Sequence, residues 1–168
     1  MGWGNAGLSI SLGVTSMPFR FAAMTGNPDL MREMVRPYLD DTEGKYVGCW
    51  CATEPQHGSD AILYSGDEAR PDIHFECAAR RVGDEWEISG QKSAWVSNGT
   101  IATHTLAFLS VDASKGMAGT GVAVIPLNLP GVSRGKPLNK LGQRALNQGE
   151  IFFDQVRIPR HYMLVEPG

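Results

Sequence analysis

The chain has 168 residues, 42% of them hydrophobic and 20% charged, with a net charge of −3. That is enough chain for one domain, or one domain plus an appendage, burying about two thirds of its unfolded surface, and the mild acidity argues against nucleic acid as a partner. No apolar run approaches the ~20 residues that span a bilayer and the start lacks the basic residues of a secretory signal, so no membrane span and a cytoplasmic, intracellular location are expected.

The opening mixes Gly2, Gly4, Gly7 and Gly13 with Trp3, Leu8, Ile10, Leu12 and Val14. Leu8, Leu12 and Thr15 fall on one helical stripe, and the small residues would let a neighbouring helix approach closely. Pro18 marks a kink or an end. Thr25-Gly26-Asn27-Pro28 reads as a turn launching a second helix, in which Leu30, Met31, Met34, Val35, Tyr38 and Leu39 recur at helical spacing. Pro37 falls inside that pattern and is expected to bend or shorten it. Both helices lack an evident partner for their apolar faces.

From Tyr46 onward the period changes. If residues 47–52 form a strand, Cys49 and Cys51 share one face and Trp50 takes the other. With Cys77 they make three cysteines. That is an odd number with neither a disulfide framework nor a second pair to complete a zinc site, so they read as small buried hydrophobes and no metal is expected. Phe75, Cys77 and Ala79 alternate with polar residues up to Val82-Gly83-Asp84-Glu85, after which Trp86 and Ile88 alternate again, the pattern of a hairpin. Tyr64–Pro71 reads as an insertion before the strand at Ile73. Leu106–Val111, Val122–Pro126 and Ile151–Phe153 are short apolar runs bounded by turn residues, while Asp112–Gly119 reads as an exposed loop. About seven strands after two helices, with none interleaved, argue for a mainly β fold, a barrel or sandwich, rather than a Rossmann arrangement.

Two segments carry chemistry. In Thr53-Glu54-Pro55-Gln56-His57-Gly58-Ser59-Asp60, Gly58 permits backbone angles that turn successive N–H groups toward an anion, and Ser59 adds a hydroxyl donor, so the segment could hold a phosphate; an ordinary turn is the plainer alternative. His57, Ser59 and Asp60 lie too close in sequence for a converging hydrolytic triad. In Gly90-Gln91-Lys92-Ser93-Ala94-Trp95-Val96-Ser97-Asn98-Gly99, strand alternation puts Trp95 and Ser97 on one face. A flat indole beside a hydroxyl donor suits a planar heteroaromatic ring, with core tryptophan and hairpin turn as the plainer alternative. Lys92 reads as a solvated charge on the strand face.

Both segments resemble signatures of the acyl-CoA dehydrogenase family, T-E-P-x-x-G-S-D and G-x-K-x-W-I-T-N-G. The tail resembles two more, L-G-x-R at Leu141-Gly142-Gln143-Arg144 and F-D-x-V-R-V-P at Phe153–Pro159. The resemblance implies that residues 1–45 are the last helices of the family's N-terminal α-domain and residues 46–168 its middle β-barrel domain, with the C-terminal helical domain missing. It implies FAD as cofactor: Trp50, Ala52 and Thr53 against the flavin ring, Ser59 on the FAD pyrophosphate and the CoA of the substrate, Trp95 packed on the ring and Ser97 hydrogen-bonded to its N5 edge. The implied reaction is α,β-dehydrogenation of an acyl-CoA to the 2-enoyl-CoA, within fatty acid metabolism. Electrons would go to an electron-transfer flavoprotein or similar acceptor, and the full-length protein would be a homo-oligomer.

Ser97 stands where the family has threonine, which keeps the hydroxyl. His57 replaces a small residue beside the glycine, and Ala145-Leu146-Asn147-Gln148 departs from a serine-bearing segment. The family's catalytic base lies outside this chain, and Glu54 matches a structural position, so no residue here is expected to be catalytic and the chain alone is expected to be inactive. An acyl-CoA oxidase or flavin monooxygenase relative, and a non-catalytic binding or assembly module with the same barrel, are the alternatives.

Overall fold

The computed structural model describes residues 3–62 and 72–167. The expected insertion at 64–71 therefore lies outside the described residues. Two helices open the chain, α1 at Ala6–Thr15 and α2 at Met17–Met24, separated at Ser16 with Pro18 in the first turn of α2. Residues 28–39 form a third, capped by the Asn27 side chain, which accepts from the N–H groups of Asp29 and Leu30. Its middle, Met31–Val35, is π-helical and leads into Arg36–Leu39. A wider turn relieves the crowding that the Pro37 ring would impose on the carbonyl four residues earlier, so the expected bend at Pro37 takes this form.

The rest is one eight-stranded sheet: β1 Gly48–Cys51, β2 Ala78–Val82, β3 Glu85–Ser97, β4 His104–Ser110, β5 Thr120–Pro126, β6 Val132–Arg134, β7 Gln148–Pro159 and β8 Met163–Val165. The order is β6-β7-β3-β2-β4-β5-β8, with β1 added in parallel to β4. The predicted hairpin is β2–β3, with Val82 opposite Glu85. The run read as Ile151–Phe153 is the middle of a twelve-residue strand. Its polar half was not legible as strand because a β-bulge breaks the alternation against β3 between Ile88 and Gly90. Helical turns do interrupt the strands, at Ser59–Ile62, Ala113–Gly119 and Arg160–Tyr162. The second corrects the exposed-loop reading of 112–119: the Asp112 side chain accepts from Ser114 N–H to start the turn, and Gly116 and Gly119 are buried.

The sheet curls around one interior, into which Cys49, Cys51, Cys77, Ile88, Val96, Ala107, Leu109, Ile125, Ile151, Val156 and Ile158 all point. The three cysteines are free and buried there, and burial pushes the Cys77 thiol up to about 12. A second cluster lies outside it. Phe19 and Ala22 of α2 and Leu30, Met34 and Val35 of the third helix cover Leu106 and Val124 on the outer face of β4 and β5. That face is the missing partner for the helices.

Contact between the layers is close. A Cβ on Gly48 would lie 2.2 Å from the Thr15 carbonyl oxygen and 2.5 Å from the Pro18 ring, so only glycine lets β1 pass beneath the α1–α2 junction. The α1 stripe faces otherwise than its spacing suggests: Leu8 and Leu12 are 48% and 51% exposed, and the buried residue is Gly7, against the backbone of Leu146. The small residue of α1 thus accommodates a loop rather than a helix. Among the described residues no helix is long and apolar enough to cross a membrane.

Asn98, read from sequence as part of a turn, ties these layers together. It is fully buried with φ 64°, a conformation asparagine tolerates better than most residues. Its Oδ1 accepts from Ser11 Oγ at 2.7 Å, while Nδ2 donates to Ser11 O, Thr15 Oγ1 and Gly48 O at 3.0–3.2 Å. Asn98→Ala strands these buried groups and is expected to cost about 3 kcal/mol in urea-denaturation stability.

His104 gives the helical layer a pH dependence. It packs edge-on to Phe19 at 5.1 Å and stacks on Tyr46 at 5.6 Å, and burial lowers its pKa from 6.5 to about 4. Between those values the unfolded chain binds the extra proton, so this contribution is complete above pH 6.5 and is lost as pH falls toward 4. Acidification from pH 7 to 5 is expected to destabilise the protein by about 2 kcal/mol, and His104→Phe to flatten that part of the stability–pH curve.

Candidate functional site

The site begins where β1 ends. Trp50 projects outward from β1, partly exposed, with its ring 6.0 Å from Phe108, while Cys49 and Cys51 turn inward as expected. After buried Ala52 the chain leaves the sheet, and the Thr53 carbonyl accepts the Ser93 N–H at 3.0 Å. That bond joins the loop to β3. Glu54 N–H donates to the His57 carbonyl at 2.8 Å and closes the turn.

Glu54 and Lys92 form the anchor of this region. Both side chains are 0% exposed, and Lys92 Nζ lies 2.6 Å from Glu54 Oε1 and 4.0 Å from the centre of the Phe75 ring. The carboxylate accepts two more hydrogen bonds, from Glu76 N–H to Oε2 at 2.6 Å and from Cys77 N–H to Oε1 at 3.0 Å. The solvated-charge reading of Lys92 is therefore wrong. The inward parity of Trp86 and Ile88 carries through Gly90 to position 92, so the strand directs this side chain into the barrel, where a buried lysine requires an anion. Glu54 is the structural residue expected.

Thr53 and Trp95 meet across a cleft of about 300 Å³ that Glu54–Gly58, Ser93 and Ala94 complete. Trp95 stands with its indole 60% exposed, which corrects the core-tryptophan alternative, while its neighbour Val96 is buried. Trp95 also borders a second cleft of about 540 Å³, formed with residues 138–143, so the start of the L-G-x-R segment comes close to it. Ser97, half-buried two residues further along β3, lines neither cleft, and its Oγ accepts from Gln148 Nε2 at 3.2 Å.

Nor do the remaining candidates line these clefts. Trp50 lies in β1, and Ala52 follows the last residue of that strand, just upstream of Thr53. Ser59 is exposed at the start of the Ser59–Ile62 turn. Ahead of it, His57 Nδ1 lies 2.8 Å from Asp60 Oδ2 and the Gly58 N–H donates to Asp60 Oδ1 at 2.7 Å; these two contacts, the histidine first, hold the Asp60 carboxyl below the usual carboxylate range. Gly58 thus spends its N–H on Asp60. Sequence reasoning missed Lys140, Gln148 and the burial of Lys92. Of these only Lys92 carried a signal, its strand parity.

An aromatic plane, hydroxyls at Thr53 and Ser97, and a cleft held by a neutralised ion pair can bind a planar, electron-poor ring, stacked on one face and hydrogen-bonded at its edge. Among the described residues no His, Cys, Asp and Glu cluster could hold a metal ion. Lys92→Met, which leaves Glu54 buried without its cation, is expected to cost about 4 kcal/mol in chemical denaturation; adding Glu54→Gln should restore more than half of it.

Comparison with known proteins bears on the family and the fold. Residues 49–156 match the family described as acyl-CoA dehydrogenase, middle domain. The chain is 34% identical over 143 residues to the mitochondrial short-chain specific acyl-CoA dehydrogenase of Rattus norvegicus, an alignment covering 85% of this chain and 31% of that one. Butyryl-CoA dehydrogenase from Megasphaera elsdenii superposes with a TM-score of 0.79 at 28% identity, over 98% of this chain and 39% of its own. A glutaryl-CoA dehydrogenase from Mycobacterium smegmatis, solved in complex with FADH2, gives 0.76 at 26% identity over 98% and 38%. The chain thus spans about a third of the length of the curated relatives it matches.

Proposed function

The chain belongs to the acyl-CoA dehydrogenase family of oxidoreductases, and from that premise we propose that it forms the flavin- and CoA-facing wall of an FAD-dependent enzyme converting an acyl-CoA to its 2-enoyl-CoA. The observation that carries this is the Trp95 indole. A large apolar plane stands open on a strand whose next residue is fully packed, between two clefts built from three separate sequence motifs. An exposed aromatic face of this kind is the surface a planar ring covers.

In this reading Trp95 packs on the flavin, the Ser97 hydroxyl meets the ring edge, and the strand end at Trp50, Ala52 and Thr53 supplies backbone and hydroxyl contacts. Ser59 lies toward the pyrophosphate and the CoA. FAD, when bound, supplies the hydride acceptor. The residues of the chain hold the ring in orientation and keep water from one of its faces. Glu54 is not the proton-abstracting base, because both its oxygens are occupied by Lys92, Glu76 N–H and Cys77 N–H. A base from outside the cleft takes the α-proton, and a separate acceptor such as an electron-transfer flavoprotein receives the electrons from an oligomeric, intracellular holoenzyme.

Titration of FAD into the purified chain, followed by quenching of tryptophan fluorescence, is expected to show saturable binding that Trp95→Ala weakens about tenfold, as loss of one aromatic stacking contact predicts. No acyl-CoA is expected to be dehydrogenated by the FAD-loaded chain with a dye acceptor. Failure to bind FAD would favour a non-catalytic module, measurable dehydrogenation would overturn the assignment of the base, and rapid oxygen consumption by the reduced full enzyme would favour an oxidase.

A further inference from the structure

Resting on the reading of the site given above, we infer that Lys140 and Gln148 are positioning residues that fix the Ser97 hydroxyl as a hydrogen-bond donor toward the edge of the bound flavin. The argument is one of polarity. Lys140 Nζ lies 2.7 Å from Gln148 Oε1 and 2.7 Å from the Leu146 carbonyl. An ammonium can only donate, so the amide oxygen of Gln148 must face it, which settles an orientation that the two similar ends of an amide do not settle by themselves.

The amide nitrogen is then directed the other way, to the Trp95 carbonyl at 3.0 Å and to Ser97 Oγ at 3.2 Å. The Trp95 carbonyl can only accept, so it enforces the same direction from the far end. Ser97 and Gln148 are directly opposed in the β3–β7 register, which holds the contact in place. With its oxygen receiving an N–H, Ser97 keeps its single proton, and among the described residues no acceptor takes it. A hydroxyl left with a free proton donates to a ring atom brought within reach on the strand face that alternation shares between Trp95 and Ser97. Neither Lys140 nor Gln148 needs to touch the ring to have this effect. Were position 148 a residue with acceptors only, the Ser97 proton would turn back into the protein and the site would lose its donor.

Gln148→Glu makes that change while preserving shape and the Lys140 contact. In FAD titrations of the 168-residue chain, Gln148→Glu and Ser97→Ala are each expected to weaken binding about tenfold, the loss of one hydrogen bond, and the double variant no more than either alone. Ser97→Thr, which keeps the hydroxyl, should bind as the wild type does. Without any cofactor, the Gln148 side-chain amide should give two well-separated proton signals by nitrogen-15 NMR, and these should collapse toward free-amide values in Lys140→Met. Gln148→Glu binding FAD like the wild type while Ser97→Ala does not would overturn the inference, and so would unchanged Gln148 signals in Lys140→Met. A wild-type chain that binds no FAD overturns the reading of the site, while the amide signals still decide which way the Ser97 proton points.

Discussion

The structure around the site depends on one buried charge pair. Lys92 and Glu54 are wholly removed from solvent, where either alone would carry a desolvation cost of several kcal/mol, and they persist because each neutralises the other at 2.6 Å. Two apolar side chains could fill the same volume. They could not accept the N–H groups of Glu76 and Cys77, which lie at the entry to β2 and have Glu54 as their acceptor. The carboxylate therefore substitutes for a missing strand partner, and the loop after β1, the start of β2 and the middle of β3 are held at one point. Thr53 and Trp95 face each other across the cleft as a consequence, since Thr53 precedes Glu54 and Trp95 lies three residues beyond Lys92.

The same strand is held from the opposite side. Gly48 opens β1 beneath the α1–α2 junction, and the Gly48 carbonyl accepts from Asn98, the residue immediately after Ser97. The two ends of the site, the β1 exit at Thr53 and the β3 end at Ser97, are thus measured from a common glycine. Helices that play no direct part in the cleft still set the height at which its walls emerge, because Asn98 also reads the carbonyl of Ser11 and the hydroxyl of Thr15 on α1. Rigid secondary structure with locked side chains behind it is what holds such geometry to the tolerance that ring recognition requires.

Much of this was legible in the sequence, for identifiable reasons. The β2–β3 hairpin and the cysteine face of β1 follow from period-two alternation, which survives in any strand with one face buried. The helix after Asn27 announces itself by its cap and by Pro28. What escaped were features set by partners distant in the chain. The helical layer covers Leu106 and Val124, residues that sequence places in a strand without saying which face is outward. Leu8 and Leu12 match a helical stripe, yet close approach of Gly7 to Leu146 turns that stripe to solvent. Lys92 carried a lysine's usual expectation of exposure; its strand parity pointed inward, and Glu54, 38 residues away, supplies the anion that lets it stay there. The Lys140–Gln148–Ser97 chain has no local pattern whatever, since it exists only once β7 pairs with β3 and the preceding loop folds back.

The polarity of the site bears on how the proposed chemistry must be divided. Among the described residues Glu54 is the sole carboxylate lining either cleft that Trp95 borders, and it is neutralised; the other cleft carries Lys140. Such a wall stabilises a ring that gathers negative charge on reduction. In the proposed reaction it is unsuited to hold the general base, because Glu54 is already paired with Lys92 and a further carboxylate brought close to Lys140 would be drawn into an ion pair and lose the affinity for a proton that abstraction demands. A wall that favours negative charge on a bound ring and a carboxylate that removes a proton make opposite demands on local charge. One surface meets both demands poorly, and in the proposed reaction the base therefore approaches from a face this wall does not cover.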